Sequence, residues 1–275
     1  MNNSWKVYAA LLITVLFWGL SFIGTKTALV YLHPFSLVFL RFAGASIVLL
    51  AILSRRGFPK LSRADHVRLI ALSLLQPGAY FLCETFALEY ASASKVSLII
   101  GAIPVVVTSL AALILRERAR PRQVFASLFS VVGIVLLILG ERGFRWESSG
   151  SIAGDLLALG AVVTASLYTL LSRELGKTRS SLEITSMQMF YGTLFFLPFF
   201  LATAGKSNWH QVTPTVIGAV IFLALGASVA AFLAYNYALT KVTASRASIY
   251  INGIPVVTTL AAWIGLGETL TWIQL

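Results

Sequence analysis

The chain has 275 residues, of which 58% are hydrophobic and 11% are charged, and its mean hydropathy is +0.86. This composition excludes a soluble globular protein, because too few polar residues are present to cover a water-facing surface of that size. A net charge of +11 could indicate nucleic-acid binding, but the placement of the basic residues indicates a membrane surface instead. The single cysteine, Cys83, excludes a disulfide framework and a cysteine metal site.

Apolar runs long enough to cross a membrane recur along the whole chain. Crossing roughly 30 Å of hydrocarbon takes about 20 residues. Nine complete runs predict nine membrane-spanning helices, and a tenth begins near Leu270. The complete runs cover approximately Val7–Leu29, Phe35–Leu53, Val67–Leu88, Val96–Leu115, Val124–Leu139, Ile152–Leu171, Ile184–Ala202, Val216–Leu239 and Ala247–Leu266. No small-residue cleavage site follows the first run, so we interpret it as a retained helix and not as a signal peptide.

The basic residues are concentrated in every second connection between the predicted spans. They are Lys6; Arg55, Arg56, Lys60, Arg63 and Arg68; Arg116, Arg118, Arg120 and Arg122; Arg173, Lys177 and Arg179; and Lys241 and Arg246. By the positive-inside rule these connections and the N-terminus face the cytoplasm. With ten helices the C-terminus is cytoplasmic too. We therefore expect a multi-pass protein of the bacterial inner (plasma) membrane.

A repeat relates the two halves of the chain. Shifting the sequence by 151 positions aligns Glu84–Val124 with Tyr235–Leu275 without a gap. Identical pairs include Ala87 with Ala238, Leu88 with Leu239, Ser94 with Ser245, Ser97 with Ser248, Pro104 with Pro255, Thr108 with Thr259 and Glu117 with Glu268. We interpret the chain as a tandem duplication, with a first five-helix repeat at residues 1–145 and a second, C-terminally incomplete repeat at residues 146–275.

The number of spans in each repeat predicts their relative orientation. Because five is odd, the second repeat enters the membrane from the side opposite to the first. The sequence therefore predicts an all-α integral membrane protein of ten helices in two inverted repeats, an architecture typical of transporters that work by alternating access. The counterpart of Gly140 would lie beyond residue 275, so the tenth helix is expected to be truncated here.

Several motifs resemble those of a known family. They are WGLSFIGTK from Trp18, LRFAGA around Arg41, the paired stretches ASKVS and ASRAS leading to GAIP and NGIP, and the turn ERARP after the fourth span. In order and spacing the whole chain is similar to the EamA family of the drug/metabolite transporter superfamily. That resemblance implies ten helices and export of small metabolites, often amino acids. The many aromatic residues in the spans are similar to those of YddG-type exporters of aromatic amino acids.

Small and polar residues form a stripe on the fourth and ninth predicted spans. Its members are Ser94, Ser97, Gly101, Pro104 and Thr108, and Ser245, Ser248, Asn252, Pro255 and Thr259. Steps of three and four residues place each set on one helix face. The stripe indicates either close helix packing or a cavity lining, and the amide of Asn252 favours the cavity. Gly101, Pro104 and Pro255 are candidate hinges for gating, since proline removes a helical hydrogen bond, although a static kink would explain them too.

Glu84 is the one carboxylate well inside a predicted span. Ionisable residues within the membrane are candidates for function by default. Glu84 could bind a substrate ammonium group or carry a coupling proton. A structural salt bridge to Lys26 or Arg41 explains it equally well.

Six aromatic residues are candidates for the lining of a binding cavity: Trp18, Tyr80, Tyr168, Tyr235, Tyr250 and Trp263. Tyr and Trp pair an apolar body with a hydrogen-bonding tip, which suits a substrate with an apolar side chain. Together with Glu84, Ser97, Ser248 and Asn252 they form the predicted substrate site. Ordinary packing or anchoring at the membrane interface is the alternative for each of them.

Enzyme activity is not expected. His33, His66 and His210 all fall in connections, and the sequence has no G-x-S-x-G, H-E-x-x-H or phosphate-binding glycine loop. We expect no catalytic residue, metal site or cofactor.

The sequence and the resemblance together predict a secondary transporter that exports amino acids, with aromatic or hydrophobic side chains, or related small metabolites by alternating access. Its partners would be a small-molecule substrate and the lipid bilayer, with no nucleic acid. Two alternatives stay open. One is a proton-coupled multidrug exporter of cationic compounds, for which Glu84 would be essential. The other is a non-transporting membrane scaffold or receptor, which should lack a hydrated cavity connected to either face.

Overall fold

A computed structural model of the chain describes residues 4–115 and 149–266, together with the isolated positions 125, 129 and 132. The described residues form helices joined by short connections, and no strand occurs among them. The α-helices are α1 Ser4–Leu29, α2 Pro34–Arg56, α3 Arg63–Ser73, α4 Tyr80–Tyr90, α5 Ala93–Ile100, α6 Ile103–Ile114, α7 Ser149–Leu175, α8 Ser181–Thr203, α9 Pro214–Phe222, α10 Ala231–Lys241, α11 Ala244–Ser248 and α12 Gly253–Leu266. Short π-helical segments cover Leu74–Ala79 and Leu223–Ala230, and 3-10 turns cover Ala204–Lys206, Trp209–Gln211 and Ile249–Asn252.

Eight helical stretches in the described part of the chain are long and apolar enough to cross a membrane. They are Trp5–Leu29, Pro34–Arg56, Arg63–Tyr90, Ala93–Ile114, Ile152–Leu175, Ser181–Lys206, Pro214–Lys241 and Ala244–Leu266. Each matches a predicted span, so the prediction of an all-α membrane protein is confirmed. The predicted span Val124–Leu139, apart from three isolated positions, and the one beginning near Leu270 lie outside the described residues. The total of ten helices stays a prediction.

Equivalent residues cap equivalent helices in the two halves, which we define as described residues 4–115 and 149–266. Ser92 accepts a hydrogen bond from the backbone N–H of Lys95 and begins α5. Thr243, 151 positions later, accepts one from the N–H of Arg246 and begins α11. A side-chain oxygen at this position satisfies a backbone donor that the first helical turn leaves unpaired. These two aligned positions therefore share a local structure, while the division of the chain into two repeats stays a prediction.

One long helix in each half is interrupted near its middle. Pro77 has no N–H to donate, and Gln76 before it has extended backbone angles of φ −150° and ψ 116°. The counterpart in the second half is the π-helical segment Leu223–Ala230. The carbonyl oxygens of Gln76, at the first interruption, and Ala231, after the second, accept hydrogen bonds from Gln188 and Thr14 of the opposite half. These two broken helices frame the centre of the molecule.

The C-terminal end of α1 and the N-terminal part of α7 lie at the same end of the bundle. Lys26 Nζ donates to the carbonyl oxygens of Leu88, at 2.6 Å, and Ala91, at 2.7 Å. A Cβ added to Gly154 of α7 would lie 3.4 Å from the Cβ of that same Ala91. We call this the Lys95 end, because α5 starts here.

At the opposite end of the bundle lie the C-terminal part of α7 and the N-terminal part of α1. Arg173, near the C-terminus of α7, donates from Nη1 to the carbonyl oxygen of Leu239 at 2.7 Å. Arg246, a few residues further along the chain, donates to the hydroxyl of Tyr8 near the N-terminus of α1. We call this the Arg246 end. Tyr8 and Lys26 are separated by roughly 27 Å of helix, so α1 and α7 run in opposite directions across the bundle.

The first helix of each half packs against the other half. Helix α1 packs against α10 and α12 of the second half, and α7 packs against α4, α5 and α6 of the first half, while α2 lies along α8. The main apolar core accordingly draws side chains from both halves, among them Phe22, Phe42, Tyr168 and Tyr235. The predicted repeat boundary at residues 145 and 146 lies outside the described residues and stays a prediction.

Gly192 provides a test of this packing, because it lets α8 approach the break at Pro77. A Cβ at Gly192 would lie 2.2 Å from Pro77 Cγ, which is part of a rigid ring. We expect Gly192→Ala to destabilise the protein by about 1–3 kcal/mol, seen as a lower melting temperature in lipid nanodiscs. The matched control is Gly218→Ala, where a Cβ meets nothing within 4 Å and alanine should stabilise the helix slightly. Equal melting temperatures for the two variants would contradict the described contact.

Candidate functional site

A small cavity lies between the two halves, at the level of the broken helices. Its lining combines aromatic, charged and small side chains: Trp18, Ser21, Phe22, Arg41, Gln76, Tyr80, Phe81, Glu84, Ile100, Ile103, Ala165, Tyr168, Thr169, Tyr235, Ile251 and Ile254. The cavity offers about 20 Å³ of space for the centre of a water molecule. That space suffices for about one water. A larger ligand would require the lining side chains to move.

The first half supplies both charges of the cavity. Arg41 is 2% exposed and Glu84 is 1% exposed. The Nε of Arg41 donates to Ser228 Oγ at 2.7 Å, and its guanidinium lies over the ring of Phe81, 4.4 Å from the centroid. The carboxylate of Glu84 accepts a hydrogen bond from the hydroxyl of Thr85 at 3.2 Å.

Glu84 is not held in a salt bridge within the described part of the chain. The ion pairs found there join Lys95 to Asp155, Lys177 to Glu174 and Arg179 to Asp65. Lys26, one of the two partners considered for Glu84, is directed at the carbonyl oxygens that end α4. Arg41, the other, shares the cavity with Glu84 without an ion pair between them.

Aromatic rings form a second wall of the cavity. The ring of Trp18 lies 5.0 Å from that of Tyr235 and 5.1 Å from that of Phe232. Tyr168 packs edge-on against the same Phe232 at 6.1 Å. Offset and edge-on arrangements of this kind are the favourable ones for aromatic pairs. They give one side of the cavity a rigid apolar surface.

Behind this wall lies a hydrogen-bond network centred on Asn236, which is fully buried. Its Oδ1 accepts from the hydroxyls of Tyr168 and Ser172, each at 2.7 Å. Its Nδ2 donates to Thr185 Oγ1 at 2.9 Å and to Gln188 Oε1 at 3.2 Å. The network fixes Tyr168, because a buried amide with all its bonds made resists rearrangement.

Four of the predicted site residues meet in the cavity beside Glu84: Trp18, Tyr80, Tyr168 and Tyr235. Ser97 and Ser248 do not line it. Each is fully buried and bonds a carbonyl oxygen three residues earlier in its own helix, that of Ser94 or Ser245. They lie where the small-residue stripe predicts close packing.

The remaining predicted binding residues also lie away from the cavity lining. Tyr250 packs against the ring of Tyr8 at 6.2 Å, at the Arg246 end. Asn252 closes the 3-10 turn that precedes α12. Trp263 is 59% exposed, because its neighbour Ala262 occupies the buried face of α12. In a membrane such a side chain contacts lipid.

The candidate hinge residues lie at breaks in the helices. Gly101 separates α5 from α6, and Pro104 is in the first turn of α6. In the second half Pro255 follows the 3-10 turn Ile249–Asn252 at the start of α12. A Cβ on Gly101 would lie 2.9 Å from the carbonyl oxygen of Leu98 and 3.5 Å from Pro255. The three residues therefore mark two breaks that approach each other across the halves.

The cavity also contains residues that the sequence did not single out as binding groups: Arg41, Gln76 and Thr169, with Asn236 and Gln188 behind them. The repeat carries a signal for two of them. Asn236 is 151 positions after Thr85, so it follows Tyr235 as Thr85 follows Glu84. Gln188 is the eighth residue of α8, as Arg41 is of α2.

Polar contacts join the halves at each end of the bundle, and two of them are related by the repeat. At the Lys95 end, Lys95 Nζ lies 3.2 Å from the carboxylate of Asp155 on α7. At the Arg246 end, Arg246 donates to the hydroxyl of Tyr8 on α1. Lys95 and Arg246 are repeat partners, 151 positions apart. The cavity thus lies between two related contacts, one towards each end.

A second depression lies outside the bundle centre, among Arg173, Lys177, Arg179, Tyr237 and Lys241. It is a surface groove with basic walls. Two of its cations are already paired, Lys177 with Glu174 and Arg179 with Asp65. Because most of its lining side chains are charged or carry hydroxyl groups, it offers less to a small apolar substrate than the central cavity does. Among the described residues, no cluster of His, Cys, Asp and Glu could hold a metal ion.

The Asn236 network predicts a graded effect on stability. Asn236→Leu leaves Tyr168, Ser172, Thr185 and Gln188 without their shared partner, so we expect a loss of at least about 2 kcal/mol. Tyr168→Phe removes a single bond and should cost about 1 kcal/mol. Thermal unfolding in nanodiscs measures both. A melting temperature for Asn236→Leu as high as that of the unmodified protein would show that the network does not stabilise the fold.

The chain is similar in sequence to known transporters and in fold to a solved structure. An uncharacterized transporter of Archaeoglobus fulgidus is 30% identical over 269 residues, which cover 98% of this chain and 91% of the relative. A Streptantibioticus cattleyicolor protein named "Probable terminal-alkyne amino-acid exporter" is 27% identical over 266 residues, or 96% of this chain and 86% of its own. One crystal structure of another protein covers 100% of this chain and 92% of its own with a TM-score of 0.76; at 20% identity this is a likeness of fold alone.

The sequence profile of the EamA-like transporter family matches residues 5–139 and again residues 152–275. The matches together cover most of the chain, and two relatives named uncharacterized transporters, at 30% and 31% identity, align with it over 91% and 92% of their own length. The chain therefore belongs to the EamA-like transporter family.

Proposed function

We propose that this protein is a secondary transporter that exports amino acids with aromatic or hydrophobic side chains, or related small metabolites, across the bacterial inner membrane. The observation that carries the proposal is the central cavity, where aromatic rings face one buried carboxylate and one buried guanidinium. Such a site suits a small molecule with an apolar body and polar ends. The name of the Streptantibioticus relative, an amino-acid exporter, supports the same class.

Alternating access is the mechanism that the arrangement of the halves favours. The first helices of the halves run in opposite directions, and each packs on the other half. Rocking such halves about the cavity separates the contacts at one end while those at the other end close. In this scheme Lys95–Asp155 helps to close one gate, and Arg246–Tyr8, at the same end as the ion pair of Arg179 with Asp65, helps to close the other. The breaks at Gly101 and before Pro255 would let the gates bend.

The sequence motifs and the charges in the cavity indicate what drives the proposed transport. The sequence has no phosphate-binding glycine loop, so substrate or ion gradients would drive transport. Within the described cavity the charges are one Arg and one Glu, which balance each other. We infer facilitated movement of the substrate down its own gradient.

One observation favours a second candidate, a proton-coupled exporter of cationic compounds: Glu84 is a buried carboxylate inside a membrane span. Such a group could exchange a proton for a cation. Arg41 opposes this candidate, because a permanent positive charge in the same cavity repels a cationic drug. A scaffold or receptor role has no comparable support.

A flux experiment tests the proposed function. The protein is reconstituted in liposomes and tested with radiolabelled phenylalanine, leucine and threonine and with a cationic dye, each with and without a proton gradient. We expect amino-acid flux that needs no proton gradient, highest for the apolar side chains. Empty liposomes are the control. Dye flux that appears only with the gradient and disappears in Glu84→Gln would replace the proposal by the second candidate.

The two end contacts predict opposite effects on access to the cavity. The reporter is Ala165→Cys in a Cys83→Ser background, labelled with a membrane-impermeant maleimide from either side. An ion pair worth about 1 kcal/mol shifts a two-state equilibrium about fivefold. We expect Asp155→Asn to raise labelling from the Lys95 end by about that factor, and Tyr8→Phe to raise it from the Arg246 end.

The control for this experiment is Lys177→Gln, which removes an ion pair confined to one half, that with Glu174. It should change labelling from neither side. Equal labelling rates for all three variants and the parent would show that the end contacts do not govern access.

A further inference from the structure

We propose that the charged part of the cavity is a zwitterion site, in which Arg41 binds the carboxylate of the substrate and Glu84 binds its ammonium group. This inference rests on the export function proposed above and specifies the substrate class of that site. The ligand is a molecule that carries both groups close together, as an α-amino acid does. A lone amine or a lone carboxylic acid does not qualify.

Arg41 has the geometry of a carboxylate receptor. Ser228 is its one hydrogen-bond partner among the described residues, and it is bonded through Nε. The Phe81 ring beneath the guanidinium holds its plane. The two terminal nitrogens are therefore available on a residue that lines the cavity. An oriented guanidinium binds a carboxylate through two parallel hydrogen bonds, which is the strongest such arrangement in proteins.

Glu84 has the complementary features. It is 1% exposed, lines the same cavity, and has Thr85 as its one hydrogen-bond donor among the described residues. The other carboxylate oxygen, Oε1, can accept from a ligand. A primary ammonium group has three donors and needs such an acceptor in a site from which water is largely excluded.

The energetics favour a ligand that satisfies both residues at once. A buried charge without a contacting counter-charge is unfavourable, and more so inside a membrane. Arg41 and Glu84 share a cavity yet form no ion pair within 4 Å. A zwitterion between them supplies each with its opposite charge. A cation alone would leave Arg41 unpaired, and an anion alone would do the same to Glu84.

The second half does not repeat this pair, and that difference orients the ligand. Gln188 occupies the place in α8 that Arg41 has in α2, and Tyr235 stands 151 positions after Glu84. The charged groups of the substrate therefore face the first half. Its side chain then points towards Trp18, Tyr168 and Tyr235, so the second half helps to select the side chain while the first half recognises the zwitterion.

Matched ligands test the inference on the unmodified protein in nanodiscs. One series is L-phenylalanine, its amide, which lacks the carboxylate, and 3-phenylpropionate, which lacks the ammonium group. A second series is L-leucine, leucinamide and 4-methylpentanoate. Binding is measured by titration calorimetry. We expect both analogues in a series to bind at least about tenfold more weakly than the parent amino acid, the range for losing a charged hydrogen bond.

Two variants assign the roles. Arg41→Gln should reduce the preference for the amino acid over its amide to about one, while the preference over the deaminated acid stays. Glu84→Gln should do the reverse. Arg41→Lys, which keeps the charge without the planar fork, should fall between the unmodified protein and Arg41→Gln. Thermal unfolding and size-exclusion profiles establish that each variant is folded, and the unmodified protein alone decides the case if a variant is not.

The outcomes separate this inference from the proposed function. If the amino acids bind and are transported but the amide or the acid binds equally well, the zwitterion site is overturned and the exporter stands. If preferences change equally in both variants, the assignment of roles is overturned. If none of these six ligands binds and no amino acid is transported, both proposals fail.

Discussion

A helix that breaks inside a membrane leaves carbonyl oxygens that no water can satisfy, and this constraint governs the centre of the molecule. The donors come from the opposite half. Gln188 donates to the carbonyl oxygen of Gln76 at 2.7 Å, beside Pro77. In the other broken helix, the carbonyl oxygen of Ala227 accepts from Trp18 at 3.1 Å, and that of Ala231 accepts from Thr14 at 3.2 Å. Each break is thus stabilised by the half that it faces. The packing of the halves and the shape of the broken helices depend on one another.

This dependence ties the cavity to the interface between the halves. Trp18 lines the cavity and at the same time holds a carbonyl oxygen of the opposite half. Gln188 belongs to the Asn236 network and holds the other break. A movement of one half against the other therefore cannot leave the lining unchanged. In the described arrangement the halves meet at both ends and the cavity has room for about one water, so the proposed cycle has a ligand enter only when the interface separates.

Much of the fold could be predicted from sequence, because apolar runs in a membrane protein are long and the charges between them are few. The cavity was partly predictable for a related reason. A charged residue within an apolar run must lie in the protein interior and not against lipid, and this reasoning identified Glu84 as a candidate. The same reasoning could not exclude Trp263 from the predicted cavity lining. The helix of Trp263 begins after a 3-10 turn, and a 3-10 turn changes which residues of the following helix lie on its buried face. The Asn236 network could not be predicted from the sequence. The partners of Asn236 lie between 48 and 68 residues away in the chain, and only the fold brings them together. Arg41 was recognised in a motif and as a partner for Glu84, but a sequence does not reveal which nitrogens a neighbour occupies.

The contacts at the two ends of the bundle are related by the repeat yet differ in chemistry. Lys95 meets a carboxylate, whereas Arg246 meets a phenol. The first is an attraction between full charges and weakens as salt concentration rises, while the second is an attraction between a charge and a dipole and weakens much less. The Arg246 end also has an ion pair between the halves, that of Arg179 with Asp65. In the proposed alternating-access cycle each end would therefore have to release one pair of full charges, and salt in either compartment would ease the opening of the end that it bathes.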